Sequence, residues 1–160
     1  MAPPPRGPDQ DFSPELQQPT RISFVPLGIH LRRELFEQML ALAESTPRLE
    51  CCGLLAGREG AITHVFPAVN VAPDPAKGYE MAPKEIVGMM REFRAQQLEF
   101  LGIYHSHPNG KNEPSPRDIE LACYSEAIYF IVSPLADAPR PVRAFSIRDE
   151  RVSELGIEIR

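Results

Sequence analysis

Short apolar runs that end near Gly or Pro alternate with two segments in which apolar residues recur at helical spacing, in a chain of 160 residues that is 42% hydrophobic. Those observations predict an α/β protein: a single compact domain with a mixed central β-sheet flanked by helices. The length suffices for one buried core. It is too short for two domains of ordinary size or for an eight-stranded α/β barrel, the other common home of a His-x-His at a strand end.

Residues 1–20 hold six of the chain's 18 prolines and few apolar side chains, so they are expected to form a disordered tail, with the domain running from 21 to 160. Arg21 to Val25 reads as a first strand, and Leu31 to Ala43 as a helix carrying Leu31, Leu35, Met39, Leu42 and Ala43 on one side. Cys51 to Ala56 is a nearly continuous apolar run, the pattern of a strand covered on both faces, and Gly57 to Gly60 turns it into a second strand from Ala61 to Val69. Asn70 to Ala82, with two prolines and a Gly, is a loop; Pro83 to Leu98 is a helix with Ile86, Met89, Met90 and Phe93 inward. Phe100 to Tyr104 and Ala127 to Val132 are strands, and Val142 to Ile147 with Val152 to Ile159 form a terminal hairpin about Asp149 to Arg151.

Charge and composition narrow the function. A net charge of −5, with no run of Lys and Arg interleaved with aromatics, argues against a nucleic-acid surface and leaves a protein or peptide as partner. No stretch has membrane-spanning length and apolarity, and the proline-rich start lacks the apolar core of a signal peptide, which makes the cytoplasm the expected location. Cys51 and Cys52 are adjacent and Cys123 is remote, so neither a disulfide framework nor a Cys-x-x-Cys metal clip is indicated.

The chemistry concentrates around His105-Ser106-His107-Pro108. Two histidines two apart at the end of a strand point to the same face. Ser115 followed by Pro116 reads as an N-cap and a first helical position, which puts Asp118 in the first turn of a helix. Two imidazoles and one carboxylate suit zinc in a four-coordinate site and leave the fourth position for water, whose pKa then falls from ~15.7 towards ~7. An ordinary polar loop or an ordinary helix cap explains either half alone, but not the two together.

His105-Ser106-His107-Pro108, six residues, Ser115, two residues and Asp118, with Glu50 upstream at the head of a strand, resembles the motif of the JAMM (MPN-plus) metalloproteases. The resemblance runs from about Ile22 to the C-terminus, and the short loops after Glu50 and Asp118 are similar to those of compact prokaryotic members. It implies a Zn2+ ion held by His105, His107 and Asp118, with Glu50 as general base and Ser115 helping to hold the oxyanion. A carboxylate at the start of a buried strand is costly without a partner, which gives Glu50 a physical reason to face the metal. The resemblance further implies a zinc (iso)peptidase that cuts after the C-terminal Gly-Gly of a ubiquitin-like or sulfur-carrier protein, whose tail could add as a strand beside the 60–69 hairpin. A deubiquitinase acting on ubiquitin chains, and a metal-binding interaction module of the same fold with little turnover, are the alternatives. His30, at the expected start of the first helix, and His64 read as surface or core residues, and Cys51 and Cys52 as core.

Overall fold

Cys52–Arg58 (β2) is buried at every position but its last, because it lies inside a sheet covered on both faces. A two-residue turn at Glu59 and Gly60, both with positive φ, returns the chain into Ala61–Ala68 (β3), the twist-compatible geometry of a tight hairpin. These elements belong to a computed structural model that describes residues 28–160. The tail expected over 1–20 and the strand expected over 21–25 lie outside the described residues.

The described chain runs Ile29–Leu31 (β1), Arg33–Ser45 (α1), β2, β3, Pro83–Gln96 (α2), Glu99–Ser106 (β4), Pro116–Leu121 (α3), Ile128–Val132 (β5), Val142–Arg148 (β6), Arg151–Leu155 (β7) and Ile157–Ile159 (β8). Six strands form one sheet in the order β3-β2-β4-β5-β6-β7, antiparallel throughout except for the parallel pair β4–β5. The expected mixed central sheet is therefore present. On one face, Leu35, Met39 and Ala43 of α1 pack with Ile29 and Leu31 against Leu55, Tyr104, Phe130 and Val132. On the other, Met89 and Phe93 of α2 pack against Leu54, Ile103, Tyr129 and Ile131. Gly53 permits the first layer, since a Cβ there would lie 2.5 Å from the Tyr104 ring and 2.3 Å from the Phe66 carbonyl.

Three expectations need correction. Leu31 and His30 do not begin α1; they form β1, with Ile29 and Leu31 buried and His30 exposed and paired with Glu158 at 3.1 Å. The segment 152–159 is not one strand: β7 stays on β6, and after Gly156 the chain leaves the sheet so that β8 runs parallel to β1. The Gly156 carbonyl accepts the Ile29 N–H at 2.7 Å, which fixes the switch. Ile86 and Met90 are only partly buried, because α2 turns a narrow stripe of Met89 and Phe93 to the sheet. No described helix is long and apolar enough to cross a membrane.

Candidate metal centre

The centre lies where β4 ends, on the α2 side of the sheet. His105 is the penultimate residue of β4 and sits between Cys52 of β2 and Ile131 of β5, which buries it almost completely. His107 follows the strand by one residue, and its N–H donates to the Val132 carbonyl at 2.9 Å. Ser106, fully buried between the two histidines, faces away and clamps Cys51: its N–H donates to the Cys51 carbonyl at 3.0 Å and its hydroxyl accepts the Cys51 N–H at 2.9 Å. That clamp brings the preceding residue, Glu50, to the same strand end.

Asp118 arrives by a different local mechanism. Ser115 caps α3, its hydroxyl accepting the Asp118 N–H at 3.1 Å, while Asp118 Oδ2 accepts the Ser115 N–H at 2.8 Å. This reciprocal pair satisfies two free donors at the helix start and turns the carboxylate inward. His105 Nε2 and His107 Nε2 stand 3.1 Å apart, and Asp118 Oδ2 lies 3.3 Å from the first and 3.1 Å from the second. His107 Nδ1 donates to the Lys111 carbonyl, which leaves the Nε2 lone pair pointing at the centre. Two imidazole nitrogens aimed at each other beside one carboxylate oxygen form a donor set that a single divalent cation reconciles.

Glu50 approaches from the opposite strand, with Oε1 3.7 Å from His107 Nε2. Glu50, His105 and His107 present ligand atoms within 4.8 Å of one another, so Glu50 is within reach of the same cation, but the triangle completed by Asp118 is the tighter one. Only 6% of Glu50 is exposed, its Oε2 has no hydrogen-bond partner, and burial pushes its carboxyl up to about 7. Burial alone would raise Asp118 too, but in the metal-free centre its contacts with the two imidazoles and the hydrogen bond from the Ser115 N–H outweigh it and hold that carboxyl well below the usual range. Burial likewise pulls His105 down, whereas at His107 the contacts with Asp118 and the Lys111 carbonyl overcome it and raise the ring. Two carboxylates that both neighbour His107 are thus shifted in opposite directions.

All five residues singled out in the sequence meet here. Two further ones were missed. Asn70 uses its whole side chain to lock the 70–82 loop: Nδ2 donates to the carbonyls of Glu50 and Gly78 at 2.9 and 3.0 Å, and Oδ1 accepts from Ala72 and Glu80 at 3.0 and 3.1 Å. The Glu50 N–H donates to the Pro75 carbonyl of that loop at 2.8 Å, so both backbone groups of Glu50 are held by it. The loop also delivers Tyr79, whose ring stacks on His105 at 4.4 Å and 25°. A short polar residue between two valines at a strand exit was the only signal for Asn70; Tyr79 had none. A cleft of about 360 Å³ opens onto Glu50, His107 and Ser115, walled by Ala76 and Lys77 on one loop and by residues of the 108–114 loop on the other. His64 and Cys123 are exposed, whereas Cys51 is half-buried and held by Ser106, and Cys52 is buried as the cross-strand neighbour of His105.

Comparison with known proteins agrees with this geometry. The family model of prokaryotic homologues of the JAB domain matches residues 32–148. Desampylase of Haloferax volcanii is 37% identical over 94 residues, which cover 58% of this chain and 68% of that protein. CysO-cysteine peptidase of Mycobacterium tuberculosis is 30% identical over 132 residues, 81% of this chain and 89% of that protein. A protein from Desulfitobacterium hafniense, solved in solution, superposes with a TM-score of 0.72 at 33% identity, over 82% of this chain and 92% of that one.

Proposed function

The chain belongs to the family of prokaryotic JAB-domain homologues, and from that premise we propose that it is a zinc-dependent peptidase hydrolysing the bond after the C-terminal Gly-Gly of a ubiquitin-like or sulfur-carrier protein. The observation that carries this reading is the triangle of His105 Nε2, His107 Nε2 and Asp118 Oδ2, with sides of 3.1, 3.1 and 3.3 Å. Zinc with bonds of ~2.0–2.2 Å in a four-coordinate site would set neighbouring donors roughly 3.3–3.6 Å apart, so the three atoms lie within a few tenths of an ångström of what that ion needs. Held by these three residues, zinc would supply Lewis acidity for polarising the scissile carbonyl and activating water near neutral pH.

Glu50 takes the proton from the attacking water and returns it to the departing amine nitrogen. A carboxyl at about 7 suits both transfers, being basic enough to accept and acidic enough to donate near neutral pH. The Ser115 hydroxyl already accepts from Asp118 N–H, so its own proton is left to stabilise the carbonyl oxygen as charge develops on it. A Gly-Gly tail, with no side chains next to the attacked carbonyl, suits a cleft confined between two loops. Pairing beside β3 is open to such a tail because β3 is an edge of the sheet, though Arg32 occupies the Thr63 carbonyl and Glu85 the Val69 N–H, which confines an added strand to the middle of that edge. The relatives named desampylase and CysO-cysteine peptidase support this substrate class.

The test incubates the enzyme with a sulfur-carrier protein extended past Gly-Gly, alongside polyubiquitin, and follows product masses. The expected outcome is release of the extension with polyubiquitin intact. Cleavage of polyubiquitin alone would replace this reading with a deubiquitinase, and cleavage of neither would leave a metal-binding interaction module.

A further inference from the structure

The cleft carries a charge pattern that the hydrolytic machinery does not use. The chain is acidic, with a net charge of −5, and contains three lysines, of which Lys77 and Lys111 both line the cleft that opens onto Glu50, His107 and Ser115. Among the described residues neither forms an ion pair. The cleft's carboxylate outside the catalytic group, Glu113, is engaged by Arg143 at 3.1 Å. Both lysines sit on backbone fastened to the centre. The Lys111 carbonyl holds His107, and the Lys111 N–H is fixed by Asn109 Oδ1 at 3.1 Å. Lys77 closes a turn onto the Asp74 carbonyl at 3.1 Å, two residues after the Pro75 carbonyl that holds the Glu50 N–H at 2.8 Å. The fold therefore places two exposed lysines on the lining of the cleft, with no carboxylate of the described residues paired to them.

We propose that Lys77 and Lys111 form a carboxylate-binding subsite on the leaving-group side of the scissile bond, which selects carriers whose Gly-Gly is amide-linked to an α-amino acid or short peptide with a free C-terminus. This rests on the peptidase reading above and names its substrate class. When a single amino acid leaves, its α-carboxylate is two bonds beyond the scissile nitrogen and stays within the cleft. When an isopeptide is cut, the same space receives the aliphatic stem of a lysine and no carboxylate. In either reaction water is consumed, the C–N bond breaks, the hydroxyl remains on the glycine carboxyl and the proton goes to the amine. Only the first product carries an anion for Lys77 and Lys111. Their attraction is that of exposed charges, modest and weakened by salt.

The experiment compares full-length enzyme on three versions of one carrier: Gly-Gly extended by one amino acid with a free carboxylate, the same extension ending in a primary amide, and Gly-Gly isopeptide-linked to a lysine blocked at both ends. The free acid should exceed the amide in kcat/KM by about five- to tenfold at low salt, with the ratio shrinking at 0.5 M salt, as expected for two exposed charges. In Lys77→Gln/Lys111→Gln the acid-to-amide ratio should fall close to one; a ratio is insensitive to partial misfolding. Equal rates for acid and amide in the unmodified enzyme would overturn the proposal, as would a ratio that survives in the double variant. A double variant that raises KM equally for acid and amide would place the carboxylate on the carrier and overturn the leaving-side assignment. Cleavage of none of the three defeats the peptidase reading itself, a result distinct from cleavage without preference.

Discussion

Glu50→Gln separates the residue's role as proton acceptor from its cost to the fold. Glu50 is 6% exposed and its carboxyl is pushed from 4.5 up to about 7 by burial. Between those values the metal-free native state keeps a proton that the unfolded chain has lost, so native stability falls as pH rises through this window, and the full penalty is present above about 7. At 1.36 kcal/mol per unit the rise corresponds to about 3 kcal/mol, an order-of-magnitude figure. Glutamine has the same shape and no charge, so the stability difference between Glu50→Gln and the unmodified protein should favour the variant by about 3 kcal/mol more at pH 8 than at pH 4.5. Urea unfolding of chelator-treated proteins at both pH values measures this, and comparing two pH values cancels any fixed cost of the new amide. The variant should still bind one metal ion, because Glu50 lies outside the tight triangle, and should lose ~10²–10⁴-fold in turnover. A pH-independent difference in stability would refute the burial argument, and loss of the metal would make Glu50 a ligand.

The remaining predictions concern the surrounding shell. Removing the metal with a chelator should lower Tm, and restoring zinc at 100 times its Kd should return about 2.7 kcal/mol, some 5–10 °C for a domain of this size; calorimetry on His107→Ala should show no such response. Ser115→Ala should cost ~0.5–2 kcal/mol through the lost cap and, as an oxyanion donor, ~10²–10³ in kcat, with metal content by elemental analysis little changed. Asn70→Ala should lower kcat more than it raises KM and destabilise by about 1–3 kcal/mol, since one of its four hydrogen bonds ties the 70–82 loop to Glu50 and three hold the loop together; unaltered steady-state kinetics would show that the loop holds the base without it.

The centre was largely legible because its parts follow local rules. Histidines two apart at a strand end must share a face, and a Ser-Pro-x-Asp start places the aspartate by capping geometry. The hairpin of β2 and β3 was legible for a similar reason, its turn lying between two β-patterned runs. What escaped depends on distant partners. Asn70 acts on Glu50 and Tyr79 on His105, contacts that no spacing within the loop encodes. Leu31 sits four residues before Leu35, so it fitted a helical stripe as well as a strand, and only pairing with Ile159 decides for β1. The break at Gly156 was hidden because Leu155, Ile157 and Ile159 keep one alternating apolar rhythm across it; the bond from Ile29 to the Gly156 carbonyl, not the sequence nearby, sends the chain into a second sheet.

α3 has six residues, Pro116–Leu121, and none is buried. A helix this short does not persist in water by itself, so the connection between the parallel strands β4 and β5 is kept in place by its cap, by the partly buried Ile119 and by the reach of Asp118 to the imidazoles. A cation joining those three side chains then acts as a cross-link between the sheet and its weakest connector. The amides of residues 115–122 would open in a local unfolding step much cheaper than global denaturation when the ion is absent, and would become slow to exchange with deuterium when it is present. Resistance to proteolytic nicking in this segment would follow metal occupancy, so the ion that equips the site for hydrolysis also determines how long the connector stays closed to other proteases.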